Sequence, residues 1–289
     1  MSSRNARLFF LLPLVAIEIG CATMPPTHRT NSALDFLYPQ GITAAQPARE
    51  VVLKMPLRVG LAFAPNRSNE PDPITEEQKR KLLTSVADAF REHKAIGHLE
   101  VVPTTYLQPA GSFGNLDQIR SSLGFDLMVL VSYDQAQFTE STRASWTYLT
   151  VVGPLLIQGE KNDTRTVMDA VVYDIASRAL LFRAAGESAV GGRSSPLNVE
   201  RKRRTMSSAG FDKATESLIG NLKTALAQFE EQAKSGTVQG PGTPAVAMYN
   251  AQGERITSKS GGGALGAPEW IAAALLGLAL LLERARRPA

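Results

Sequence analysis

The chain has 289 residues, of which 44% are hydrophobic and 20% are charged, a composition typical of a globular protein with one sizeable core. The formal net charge is +4, and several cations stand at the two termini, so the body is nearly neutral, which argues against a nucleic-acid surface. The single cysteine, Cys21, excludes an internal disulfide and any cysteine-based metal cluster.

The first 20 residues predict a secretory signal peptide. A basic head precedes the apolar run Leu8–Ile17, which is too short to span a bilayer of about 30 Å. Gly20 then stands directly before Cys21, and this arrangement resembles the lipobox of bacterial lipoproteins, with Glu18 at the place where that family usually has an aliphatic residue. The resemblance implies a diacylglyceryl group on the Cys21 thiol and an acylated amine after cleavage. The alternative is an ordinary signal peptide with an incidental cysteine.

The body of the chain predicts an α+β fold. Residues 21–50 are rich in Pro, Thr, Ala and Gln and predict a tether, so the domain is expected over 51–234. The order of strands and helices favours helices packed on a mixed β-sheet. Periodicity predicts these elements in chain order: a strand Leu57–Phe63, a helix from the capping box Thr75–Gln78 to near Gly97, a strand Leu99–Val102, a helix Asn115–Leu123, a buried central strand Phe125–Tyr133, a hairpin of Gln137–Trp146 and Tyr148–Ile157, a hairpin of Thr166–Tyr173 and Ala179–Ser188, and an amphipathic helix from Phe211 to Phe229.

Two features of the body have alternative interpretations. The run Arg201–Arg204 is interpreted as a solvated loop before the last helix, with contact to anionic lipid or glycan as the alternative. Trp146 and Tyr148 are interpreted as half-buried cross-strand packing, with a partner-facing role as the alternative.

The sequence predicts no catalytic residues, no metal site and no cofactor. It contains no nucleophile-elbow motif and no phosphate-binding glycine loop. The histidine spacing suits no usual zinc site, and the aspartates at strand ends are interpreted as satisfying turns. The side chains considered are His28, His93, His98, Asp126, Asp134, Asp169 and Asp174.

The C-terminus predicts a membrane segment after a Gly/Pro/Thr/Ser-rich linker over 235–260. Residues 264–282 have the usual length of a transmembrane helix. The arginines after this segment obey the positive-inside rule, so the end of the chain is expected in the cytoplasm and the body outside. These arginines are Arg284, Arg286 and Arg287.

A glycine run precedes that segment at Gly261, Gly262 and Gly263. The order of glycines, apolar helix and arginines resembles the GlyGly-CTERM sorting tail, whose family members are cut by rhombosortase, an intramembrane serine protease of the rhomboid class. Each glycine lowers helix stability by about 1 kcal/mol, so this segment unwinds cheaply for a protease. The alternative is a simple tail anchor on a flexible stalk.

Together, the lipobox and the tail resemble the rhombotarget lipoprotein family. The resemblance implies an envelope lipoprotein that is inserted in the inner membrane as a precursor, with a periplasmic body, and whose mature form is on the outer membrane or cell surface. The implied partners are lipoprotein-processing enzymes, rhombosortase, membrane lipid and an unknown envelope component. The body is expected to be a non-enzymatic binding or structural module. The alternatives are a membrane-displayed hydrolase and a permanently bitopic adaptor.

Overall fold

A computed structural model describes residues 26–41, 50–66, 74–141, 160–235 and 245–257. The strands are β1 (Thr27–Asn31), β2 (Val51–Lys54), β3 (Leu57–Phe63), β4 (Ile96–Val101), β5 (Leu127–Ser141), β6 (Glu160–Asp174), β7 (Ala179–Ser194) and β8 (Val246–Tyr249). The α-helices are α1 (Ala33–Leu37), α2 (Glu76–Phe90), α3 (Ser112–Leu123) and α4 (Val199–Ser235), and a 3₁₀ turn covers Thr104–Tyr106.

The main sheet is mixed, as the sequence predicts. Its order is β4-β3-β5-β6-β7, with β3 parallel to both of its neighbours and the later strands antiparallel. The long strands β5, β6 and β7 extend past the end of β3, and β1 pairs antiparallel with β5 in this extension. A separate parallel pair is formed by β2 and β8.

Helices cover both faces of the sheet. On one face, α2 and α4 pack over alternate residues of β3 and β5 such as Leu61, Phe63 and Val131. On the other face, α1 and α3 pack over the intervening residues, including Ala62 and Leu130. Neighbouring side chains along a strand point to opposite faces of the sheet. The sequence of a strand that is covered on both faces is therefore a continuous apolar run.

Several predicted elements are confirmed. The strand at 57–63 has the predicted bounds, and α2 begins at a complete capping box in which Thr75 and Gln78 bond to each other's backbone N–H groups. α2 ends at Phe90, before the predicted end near Gly97, because the chain turns and enters β4. The second hairpin is confirmed and is longer than predicted. Its turn is held by the Ser177 N–H, which donates to Asp174 Oδ2 at 2.8 Å.

The tether predicted over 21–50 is wrong for the stretch from Thr27 to Leu37. Asn31 fixes β1, because its Nδ2 donates to Ala64 O at 2.7 Å and its Oδ1 accepts from the Tyr133 N–H at 2.6 Å. Phe36 and Leu37 of α1 are each 2% exposed. The sequence of β1 shows no apolar alternation, because its inward side chains, such as Thr27 and Asn31, bond polar groups. The strand was therefore not predicted.

The linker predicted over 235–260 is wrong for the stretch that contains β8. Val246, Ala247 and Met248 are buried against β2 and the end of α4. A four-residue strand between Gly- and Pro-rich flanks has too few residues to show a period of two.

The loop predicted for the basic run is also wrong, because Arg201–Arg204 lies in the first turns of α4. Arg and Lys are good helix formers. The apolar spacing of this helix begins only near Phe211, because its first three turns contact the polar side chains of Gln135 and Gln137. A start inferred from apolar spacing is therefore too late.

α4 packs on the sheet face close to β7, and two of its polar side chains bond the outer edge of that strand. Asn221 Nδ2 donates to Ala185 O at 2.6 Å, and Ser217 Oγ accepts from the Glu187 N–H at 3.4 Å. A Cβ at Gly186 would collide with the α4 backbone at Ala214 and Leu218, so the close approach requires a glycine there.

The features predicted at the two ends of the chain lie outside the described residues. These include the signal, Cys21, the glycine run and the segment 264–282 with its arginines. The hairpin segment Tyr148–Ile157 and Trp146 also lie outside them, and the strand predicted over Gln137–Trp146 is the continuation of β5 as far as Ser141. Among the helices that the structure describes, none has the length and hydrophobicity that a bilayer crossing requires.

Candidate functional site

A polar cleft of about 500 Å³ lies where the sheet extension meets the start of α4. Its floor comes from β1 and β5, and its walls come from α4 and the beginning of α2. We call it the arginine cleft. Its lining consists of Thr27, Arg29, Thr75, Gln78, Gln135, Gln137, Glu200, Arg203, Arg204, Ser207 and Ser208.

Two glutamines of β5 hold α4 over the floor. Gln135 Nε2 donates to Thr166 Oγ1 at 2.8 Å and to Ser207 O at 3.2 Å, while its Oε1 accepts from Ser207 Oγ at 2.5 Å. Gln137 Nε2 donates to Arg203 O at 3.0 Å. Buried polar groups in such a closed set of bonds fix the geometry of the site, because each lost bond would leave an unsatisfied group.

Arg203 connects the N-terminal strand to α4. Its Nη2 donates to Thr27 Oγ1 at 2.5 Å, and its Nη1 lies 3.5 Å from Glu200 Oε1. The side chain is 14% exposed, and its buried Nε has no hydrogen-bond partner within the described part of the chain. An arginine held in this way keeps donor capacity that an anionic ligand can satisfy.

Among the described residues that line the cleft, positive charge exceeds negative charge, because they include Arg29, Arg203 and Arg204 and one carboxylate, that of Glu200. Arg201, the third residue of α4, also opposes the helix dipole, whose N-terminus favours negative charge by about 0.3–1 kcal/mol per group. Helix propensity allows Arg and Lys here, but the dipole does not favour a cation in the first turn. Residues that break a local rule without a stabilising gain are expected at functional sites.

The three histidines pair with three different carboxylates at separate places. Within the described ranges, no group of three or more His, Cys, Asp or Glu side chains is arranged to hold a metal ion. The pairs are His28 Nε2 with Asp134 Oδ1 at 2.6 Å, His93 Nε2 with Glu230 Oε1 at 3.6 Å, and His98 Nε2 with Glu100 Oε2 at 3.2 Å.

Of the aspartates predicted to satisfy turns, Asp174 does so by accepting from the Ser177 N–H of its own turn. Asp126 instead bonds a distant strand, because its Oδ2 accepts from the Arg58 N–H of β3 at 2.9 Å. Asp169 differs, since its Oδ1 is buried without a hydrogen-bond partner in the described part of the chain. Burial raises the pKa of the Asp169 carboxyl above its ordinary value, and the Arg183 guanidinium 3.6 Å away acts in the opposite direction.

An apolar cavity of about 80 Å³ lies in the core beneath α2 and α4. Its walls include Val129, Phe182 and Leu222, and Glu230 is the one charged residue among them. A cavity with so few polar groups offers little to orient a ligand. The arginine cleft has more groups suited to recognition.

Sequence analysis identified Arg203 and Arg204 only as part of a basic run, and it did not identify the rest of the cleft. The cleft joins β1, β5 and α4, which are distant in sequence. One signal was available: the polar residues Gln135 and Gln137 continue the inward alternation of the apolar strand that ends at Tyr133.

The comparisons with known proteins identify no family. No family model matches the chain, and no curated protein matches it. Among solved structures, it is similar to a PelC dodecamer from Paraburkholderia phytofirmans, with 14% identity, a TM-score of 0.27, and coverage of 67% of this chain and 96% of that chain. It is also similar to a protein from Helicobacter pylori described as a neuraminyllactose-binding hemagglutinin homolog, with 11% identity, a TM-score of 0.34, and coverage of 68% and 95%. Similarity at these TM-scores carries no conclusion about function.

Proposed function

We propose that the chain is an exported bacterial envelope lipoprotein whose body binds an anionic envelope component in the arginine cleft. The terminal motifs support the envelope assignment: the lipobox-like Cys21 predicts lipidation, and Gly261–Gly263 before an apolar segment predicts cleavage by rhombosortase. The alternatives remain a displayed hydrolase and a permanently bitopic adaptor.

One observation carries the binding role. Three arginines line a cleft whose floor residues Gln135 and Gln137 are already committed to holding α4. Guanidinium groups remain charged at any physiological pH and match carboxylate, sulfate and phosphate oxygens with paired donors. They are therefore suited to holding an anion and unsuited to transferring protons.

The binding role is tested by thermal unfolding with inorganic phosphate. A phosphate site with a Kd of about 1 mM stabilises a protein by about 1.4 kcal/mol at 10 mM, which raises the melting temperature by about 3–6 °C. Sodium chloride at equal ionic strength should not produce this rise. Arg204→Gln should abolish it, and the matched control Arg80→Gln, an exposed arginine of α2, should retain it. An equal rise in both variants contradicts the cleft as the site.

A further inference from the structure

We propose that the anionic component is the phosphate of membrane lipid headgroups, and that the end of the molecule bearing Arg201–Arg204 rests on the membrane. This inference rests on the proposed function, because it takes Cys21 as the lipid anchor. β1 begins at Thr27, which Arg203 holds through its side chain. Five residues separate Cys21 from Thr27, and an extended chain of six residue steps spans at most about 20 Å. A lipid on Cys21 therefore keeps the basic run close to the headgroups.

The same end of the molecule carries an excess of positive charge. The register aligns Ser141, Glu160 and Ser194, so the ends of β5 and β7, the start of β6 and the start of α4 lie together. Arg201 and Arg204 are exposed and form no ion pair within the described ranges. Among the described residues, the charged side chains of this end are the cations Lys161, Arg193, Arg201, Lys202, Arg203 and Arg204 and the anions Glu140, Glu160, Asp163 and Glu200.

An exposed apolar side chain lies beside these arginines. Leu197, in the turn between β7 and α4, is 66% exposed. The turn is held by the Ser195 N–H, which donates to Asn198 Oδ1 at 2.9 Å, so the structure presents Leu197 in a fixed position. An apolar side chain flanked by arginines matches the boundary between headgroups and acyl chains, where both parts find their preferred surroundings.

Lipid phosphate fits this surface better than a protein partner does. Each Lys or Arg near an anionic membrane contributes about 1 kcal/mol, or about fivefold in binding. An anchor within about 20 Å also makes the contact effectively intramolecular, so individually weak contacts suffice. The opposite end, where β5 begins at Leu127, lies about 45 Å away along the strand and beyond the reach of this anchor.

The test uses the protein isolated from host envelopes and reconstituted into vesicles. Because lipid would block Cys21, a cysteine introduced by Leu197→Cys is a unique site for a fluorescent label. The matched control is Ser121→Cys, an exposed position of α3 at the far end. In vesicles containing phosphatidylglycerol, a headgroup spin label should quench the fluorophore at position 197 and leave the one at position 121 unquenched. Adding Arg201→Gln and Arg204→Gln should remove most of the quenching at position 197.

Three results would overturn the proposal: equal quenching at the two positions, unchanged quenching in the arginine variant, or equal quenching in vesicles of phosphatidylcholine alone. Stabilisation by inorganic phosphate without quenching at position 197 would instead assign the cleft to free anions. Incorporation of labelled palmitate is measured in the same preparation. Palmitate without quenching contradicts this inference alone, whereas absence of palmitate contradicts the proposed function.

Discussion

Gly186 determines how closely α4 approaches the sheet. A side chain at this position of β7 would meet backbone atoms of α4, which cannot move aside as the end of a flexible side chain can. Gly220 of α4 is the opposite case, because a Cβ there would meet nothing within 4 Å. Glycine is therefore required at position 186, whereas at position 220 it only lowers the stability of the helix.

These two glycines give a matched pair of substitutions. Gly186→Ala should destabilise the fold by about 1–3 kcal/mol, because overpacking forces α4 away from β7. Gly220→Ala should stabilise it by about 0.5–1 kcal/mol, because alanine favours the helix. The measurement is the free energy of unfolding from urea titration. Equal effects of the two substitutions would show that the close approach does not constrain the sequence.

The elements that sequence predicts well are those with their own periodicity. The alternation at Leu57–Phe63 and the helical spacing from Phe211 onwards each span several repeats, so both could be recognised locally. β1 and β8 could not, because each is a short segment stabilised by a distant partner. The arginine cleft could not be predicted for the same reason, since Thr27 contacts Arg203 only in the folded chain.

At the level of elements, β8 should be necessary for a stable body. The domain predicted over 51–234 would lose both β1 and β8, and with β8 the cover of Val51 and Leu53. A fragment of residues 26–257 should therefore unfold cooperatively, and one of residues 26–234 should be at least about 3 kcal/mol less stable, because two or more apolar side chains lose their burial. Urea unfolding followed by circular dichroism measures the difference.

Single substitutions control for the change in chain length. Met248→Ala, at a buried position of β8, should cost about 2–5 kcal/mol. Lys54→Ala, at an exposed position of the partner strand, should change stability by less than about 0.5 kcal/mol. If 26–234 is as stable as 26–257, β8 is an accessory to the fold.

At the level of the whole molecule, the two ends should be processed independently. Cys21→Ser should abolish labelling by palmitate, since the thioether needs the cysteine sulfur, and should cause the precursor to accumulate. Replacement of Gly261, Gly262 and Gly263 by leucine should block cleavage, because leucine strengthens the helix and lengthens the apolar segment. The mass of the mature protein from cells reports both events. Mature wild-type protein that retains Trp270–Arg287 would identify a plain tail anchor.

The contact of α4 with the outer edge of β7 affects how copies of the chain meet. An exposed sheet edge offers free N–H and C=O groups, and a strand of another molecule can pair with them and start aggregation. Here Asn221 and Ser217 occupy the groups of Ala185 and Glu187. In the proposed anchored form, neighbouring copies on one membrane would present their edges to each other in a common orientation. The two bonds from α4 then leave fewer groups of β7 on which a neighbouring copy could add a strand.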